Sequence, residues 1–300
     1  MAGFIQDPIQ FVNLIADNLR DRYPLVPEEP GSPPSGFSVF KELVQNTDDA
    51  KASELRFGRS PGLARASHPL LQAPALFFVN NGDFSESDAR GIRSFGQNSK
   101  AADQASIGKF GLGMKSVFHF CEAFFFLAHD GTKSYAEVLN PWSGADTEQS
   151  LHQDWDSFRG EDAGLIREHL SPVVREFQDT ERLFILWIPL RRQADLGRAG
   201  AIIGQYPGDN ESLLAFLSKP TFPPRVAALL PMLRHLREVA YWDLQGDGGV
   251  NGAAFKVRLD DGAARPALLD TSPTQVAGQA SCDPQRSFSG NITTYFGETR

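Results

Sequence analysis

Amphipathic helical segments and short apolar runs follow one another between residues 37 and 205, and this order predicts an α/β fold, a two-layer sandwich of a mixed sheet covered by helices. Three observations carry that reading. Residues 38–52 (SVFKELVQNTDDAKA) place Phe40, Leu43 and Val44 at helical spacing. LRFG (55–58), ALFFVN (75–80), the apolar stretches at 122–128 and 134–139, and RLFILWIPLR (182–191) have strand length. Glycine, proline and asparagine clusters separate these runs, as at Asn81-Gly82.

The elements follow in order. Residues 8–20 set Phe11, Val12, Leu14, Ile15 and Leu19 on one helical face. Pro24, Pro27, Pro30, Pro33 and Pro34 then exclude a regular element, so residues 1–36 read as a helical strap and a proline-rich linker. The main body, 37–205, opens with the helix at 38–52; residues 59–74 form a loop before the strand at 75–80. Glu86 and Asp88 suit the first turn of a short helix. GQNSKAADQASI (96–107) is small and polar and predicts a mobile segment, after which a helix opens near Gly113. Residues 206–300 read as a smaller α/β module or the start of a following domain. In it ESLLAFL and PRVAALLPMLRHLREV are helical, EVAYWDL and AAFKVRL are strands, and 262–300 is a Gly, Ser, Thr and Pro-rich tail.

A hydrophobic content of 41% with 22% charged residues allows a buried core. Twenty-nine basic against 37 acidic residues give a net charge of -8, which argues against charge-driven nucleic-acid binding but not against a local phosphate site. Cys121 and Cys282 are the two cysteines, and Cys121 sits in an apolar run as a small buried hydrophobe. No zinc motif is present, no apolar stretch reaches membrane-spanning length, and the N-terminus lacks a signal-peptide pattern. These features predict a soluble protein of a reducing cytoplasm.

Three segments carry candidate chemistry. In FKELVQNTDDA, Glu42, Asn46 and Asp49 stand at i, i+4 and i+7 on one helical face. An asparagine oxygen can ligate Mg2+, and a carboxylate one turn away can activate water. In IGKFGLGMKSVFHF, Gly108, Gly111 and Gly113 lead into an apolar helix whose amides can meet phosphate oxygens. It is neither a Walker loop, since Met114 separates Gly113 from Lys115, nor a dinucleotide fingerprint, since Ser116 replaces the third glycine. In LFFVNNGDF a strand delivers Asn80 to a turn at Gly82. Taken singly, the first reads better as a solvated helix face and the third as a strand-ending turn, and the second reads as well as a flexible loop. Their order and spacing together favour one joint site.

That ordered set resembles the Bergerat ATPases, a superfamily that includes gyrase B subunits, the ninety-kilodalton heat-shock chaperones and sensor histidine kinases. Glu42, Asn46, Asp49 and Ala50 match its E-x-x-x-N-x-x-D-A motif, and Gly108, Gly111 and Gly113 match its glycine-rich lid motif. Ser99-Lys100 is similar to the start of the chaperone lid. Within the superfamily the likeness runs to sacsin-type ATP-binding domains, through ELVQNTDDA, VNNGDFSESDARGI, IGKFGLGMKSVFH and VLNP, over about residues 37–192. The resemblance implies a Bergerat fold with a mobile glycine-rich lid, ATP and Mg2+ as ligands, Glu42 as the water-activating base and Asn46 as the metal ligand. It places Asp49 near the ribose or purine, Asn80 at the adenine, and Lys100 with the amides of Gly111 and Gly113, helped by Lys115, at the phosphates; Ala50, Gly82, Ser99, Gly108 and Leu112 complete the nucleotide-binding set.

Two motifs depart from the superfamily. Asn80 stands where most members have aspartate, and Phe84 where they have the second glycine of D-x-G-x-G. LFILWIPLR lacks the chaperones' threonine, with Thr180 as a nearby substitute. The implied activity is slow ATP hydrolysis driving a conformational switch, with a nucleotide-dependent homodimer, a protein client or a partner domain as its outlet. The alternative is a nucleotide-sensing or scaffold module that binds ATP without turnover.

Overall fold

A computed structural model describes residues 8–28, 30–93, 113–143, 153–196, 200–203, 210–244, 252–259 and 292–296. Its strands are β1 (Glu54–Ser60), β2 (Ala75–Asn80), β3 (Phe124–His129), β4 (Ser134–Leu139), β5 (Leu183–Pro189), β6 (Glu238–Asp243), β7 (Phe255–Leu259) and β8 (Ile292–Phe296). They form one eight-stranded sheet in the order β4-β3-β5-β2-β1-β6-β7-β8. The sheet is mixed: β1 runs parallel to β6 and antiparallel to β2, and the other neighbours pair antiparallel. The expected α/β two-layer arrangement is the one observed. The strands after residue 206 extend the same sheet, through the β1–β6 pairing.

The α-helices are α1 (Pro8–Asp21), α2 (Phe37–Asp49), α3 (Glu86–Arg93), α4 (Gly160–His169), α5 (Ser171–Val174), α6 (Asn210–Leu214) and α7 (Phe222–Leu229). Alternation along the strands aims Phe57, Phe78 and Tyr241 at α2. There the Phe40 ring lies 4.8 Å from Phe57 and 5.3 Å from Phe222 of α7, centroid to centroid. Offset and edge-on aromatic packing of this kind adds about 0.5–1.5 kcal/mol per pair beyond area burial. The opposite face is covered over its middle: Trp187 meets His169 of α4, and the Arg56 guanidinium lies over Phe177. Arg56 is itself buried between Glu54 (2.5 Å) and Glu238 (2.6 Å), joining β1 to β6 by charge as well as by backbone.

Three elements differ from the sequence expectation. The helix opening at Gly113 is a 3-10 helix, Gly113–His119, whose last turn continues as Phe120 N donating to Val117 O. The long helix expected over PRVAALLPMLRHLREV stops at Leu229 and passes through a 3-10 turn, Leu230–Met232. Pro231 explains the break, because it has no amide hydrogen and its ring clashes with the preceding turn. The tail contributes β8, ITTYF, whose β-branched and aromatic residues suit a strand despite its polar surroundings. The segment expected to be mobile, 96–107, lies outside the described residues. Among those described, no helix is long and apolar enough to cross a membrane.

The loop after Met232 is held from α2. The buried Asp48 carboxylate accepts from the backbone amides of Arg234 (2.9 Å), His235 (2.6 Å) and Leu236 (2.8 Å). Hydrogen bonds to a charged acceptor contribute about 1.5–3 kcal/mol each, and a carboxylate with three such partners is a strong anchor. Asp48→Ala leaves those amides without their acceptor. We expect it to lower unfolding stability by about 3 kcal/mol in urea titrations, through a shifted midpoint at unchanged slope. A midpoint within error of the parent would remove Asp48 from this role.

Candidate functional site

Because α2 turns 100° per residue, the residues that face the sheet and the residues that face away from it are separated cleanly. Phe40, Leu43 and Val44 are buried in the core, while Glu42 and Asp49 are half-buried and Asn46 is 7% exposed. The chain reaches this polar stripe at Gly113. A Cβ built on Gly113 would sit 2.8 Å from Glu42 Oε2, 3.5 Å from Asn46 Oδ1 and 3.6 Å from Asn46 Nδ2. The missing side chain is what lets the 3-10 helix begin against the α2 stripe.

Two electrostatic features mark this junction. Burial pushes the Glu42 carboxyl above its usual range; neighbouring Lys41 opposes the shift and Asp49 adds to it. The Asp49 contribution places its charge within reach of Glu42, as the i, i+7 spacing expects. Asn46 Nδ2 is buried without a hydrogen-bond partner among the described residues. An unsatisfied buried donor costs about 1–3 kcal/mol, and here it lies 3.6 Å from where a Cβ on Gly113 would sit. Lys115, two residues further on, is 3% exposed, and burial lowers its ammonium pKa to about 7.

The strand-end segment meets the other end of α2. Gly82 packs on Ala50, where an added Cβ would lie 2.8 Å from the Ala50 carbonyl oxygen, and Asp83 N donates to that oxygen at 2.7 Å. Asn80 is buried, and its Oδ1 accepts from Gly82 N at 3.0 Å, an Asx turn. One acceptor lone pair of Asn80 is thereby committed to the backbone. Asn81 is structural: its Oδ1 accepts from the amides of Ser53 (3.0 Å) and Glu54 (3.1 Å). The fold therefore gathers Glu42, Asn46 and Gly113 at one junction and Ala50, Asn80 and Gly82 at another, both on α2 and its C-terminal end. Ser99, Lys100, Gly108, Gly111 and Leu112 lie outside the described residues.

Several supporting residues carried no expectation from the sequence. Glu122 and Arg191 form a buried ion pair behind the 3-10 helix. Arg191 also donates to the carbonyls of His119 (3.1 Å), Phe118 (2.7 Å) and Cys121 (2.8 Å). Glu122 accepts from Trp142 Nε1 at 2.8 Å and from Ile202 N at 3.0 Å. The lone acid in HFCEAFFF was the available signal, since an unpaired charge would not survive in such a run. Cys121 is buried, as expected, and burial raises its thiol pKa out of the reactive range.

The fold and these junctions define an α/β domain in which a polar helix face closes on a glycine. Residues 33–148 match the family described as the Sacsin domain, and this span contains α2, β2 and Gly113. The chain is also homologous to human sacsin, 37% identical over 239 residues. That alignment takes in 75% of this chain and 5% of human sacsin, so the chain spans a small part of the relative's length. The protein thus contains a sacsin-like domain.

The Glu122–Arg191 pair gives a test of the scaffold under the site. Arg191→Met strands a buried carboxylate and is expected to destabilise the protein by about 3–5 kcal/mol. The double variant Glu122→Leu/Arg191→Met is expected to recover most of that loss, because it removes both charges. Thermal unfolding of the two variants checks this; a double variant no more stable than the single would show that the hydrogen bonds, not charge pairing, hold the segment.

Proposed function

We propose that this domain binds ATP with Mg2+ at the junction of Glu42, Asn46 and Gly113, in a Bergerat-type fold, and hydrolyses it slowly to drive a conformational switch. The observation that carries the reading is the approach of Gly113 to within 2.8 Å of Glu42 Oε2, measured from its ideal Cβ, over a buried Asn46 amide with an unused donor. These residues fit the ligand. The donor set is oxygen-based, which suits Mg2+, and a free amide N–H beside a carboxylate suits a water or a phosphate oxygen. Asn46 Oδ1 is the group that would hold the cation. By resemblance, Ser99, Lys100, Gly108, Gly111 and Leu112 would meet the phosphates.

Bound Mg·ATP supplies the electrophilic γ-phosphoryl group and a cation that offsets its charge. The remaining roles belong to the chain. Glu42 accepts the proton of a water at its carboxylate, and burial raises its basicity toward the working pH. Asn46 Nδ2 orients that water or a phosphate oxygen. Asn80, with Oδ1 engaged by Gly82, presents its remaining capacity to the base, so selection of adenine over guanine is modest. The resemblance of Ser99-Lys100 and the glycine-rich segment to the chaperone lid supports a switch rather than a fast metabolic enzyme.

Steady-state ATPase assays and Mg·ATP calorimetry on three proteins test the reading. Glu42→Ala is expected to keep ATP binding and lose turnover by about 100-fold or more. Asn46→Ala is expected to lose the Mg2+-dependent part of binding. Equal turnover for Glu42→Ala would place the base elsewhere. Binding by a parent that shows no turnover would favour the nucleotide-sensing alternative, and a parent that does not bind ATP would refute both.

A further inference from the structure

One short element ties the α2 junction to the N-terminal strap. The seven-residue 3-10 helix begins at Gly113 against Glu42 and Asn46, and it ends at His119, whose Nε2 lies 2.6 Å from the Tyr23 carbonyl oxygen. At a rise of about 2 Å per residue, its ends are about 12 Å apart. A carbonyl can only accept, so Nε2 carries the proton. Burial holds the imidazole neutral, with a pKa of about 4, and leaves Nδ1 buried without a partner among the described residues. A histidine that leaves one nitrogen unsatisfied is a poor choice for filling space alone.

The strap beyond Tyr23 is fixed at further points. The Glu28 carboxylate receives the Ser35 hydroxyl, Lys219 Nζ at 3.1 Å and an Arg225 nitrogen at 2.9 Å. Gly36 N donates to Leu213 O at 2.9 Å. Arg191 holds the other side of the helix end through the Phe118 and His119 carbonyls. The half-buried Tyr23 phenol lies within electrostatic reach of Glu42, whose charge adds to the effect of burial in raising its pKa. The helix is therefore gripped at His119 by two segments far away in sequence, and its other end is the one at the candidate site.

We propose that His119 is a positioning residue: by latching the Tyr23 carbonyl to the far end of the 3-10 helix, it holds Gly113 against Glu42 and Asn46. This rests on the nucleotide reading only for the identity of the ligand; the latch itself needs none.

Hydrogen exchange on the full chain without nucleotide tests it, comparing the parent with His119→Phe and His119→Gln. Phenylalanine keeps a ring and removes the donor, whereas glutamine restores a donor at similar reach. In His119→Phe, amides of residues 22–36 are expected to exchange roughly tenfold faster, the scale of one lost hydrogen bond. The amides of 113–119 and of α2 around Glu42–Asn46 should loosen with them, and His119→Gln should recover both regions. Loosening confined to 22–36, or a folded His119→Gln that recovers neither, would overturn the proposal. If His119→Phe folds poorly, His119→Asn, whose donor is too short to reach, takes its place under the same criteria. An Mg·ATP titration of the parent judges the nucleotide reading separately: absence of binding would sink that reading and leave the exchange result to decide the latch.

Discussion

The rotation of α2 about its own axis is the constraint on which the remaining structure depends, and the Asp48 carboxylate fixes it. Three backbone amides, from Arg234 to Leu236, converge on that one side chain. With 100° between successive residues, locking Asp48 toward the loop that leads into β6 also sets where its neighbours point. Phe40, Leu43 and Val44 must meet the sheet, and Glu42 and Asn46 must face the chain arriving at Gly113. A slip of one residue would bury the acids in the aromatic core and expose Phe40. The cost of either error, several kcal/mol, exceeds what a surface helix could absorb.

The same constraint joins the chain's distant parts. The acids and the amide of α2 come from residues 42–49, the glycine that approaches them from residue 113, and the carboxylate's partners from residues 234–236. The buried Glu122–Arg191 pair stiffens the end of the 3-10 helix that Gly113 begins. The site is thus framed by elements that are rigid for separate reasons: aromatic packing for α2, a desolvated ion pair for the 3-10 helix, and an Asx turn for Asn80 and Gly82.

How much of this was legible in the sequence follows from the range of the interactions. The α2 stripe and strands β1 to β5 were legible because periodicity is a local property, and EVAYWDL and AAFKVRL likewise became β6 and β7. The role of Asp48 was not, because its partners stand 186 to 188 residues away and the spacing with Glu42 and Asn46 drew attention to Asp49 instead. Helix α4 was unmarked, since it buries only Asp162, Ala163 and Ile166 and its first turn lacks a side-chain cap. Pro231 was visible as a helix breaker, yet the apolar run around it masked the stop. For the candidate site, the residue types and spacing of Glu42, Asn46 and Gly113 were legible, but their convergence required the fold. The contributions of Tyr23 and His119 depend on a contact 96 residues apart and left no local pattern.

The central claim is that the junction where Gly113 meets Glu42 and Asn46 is where a nucleotide's phosphates and their cation bind. Calorimetric titration of Mg·ATP into Gly113→Ala and into the parent tests it most directly, since one added methyl group would meet Glu42 Oε2 at 2.8 Å and displace that carboxylate. The account predicts a Gly113→Ala protein that melts near the parent and binds Mg·ATP at least tenfold more weakly, a difference of about 1.4 kcal/mol. Parent-like affinity in a folded Gly113→Ala protein would contradict it.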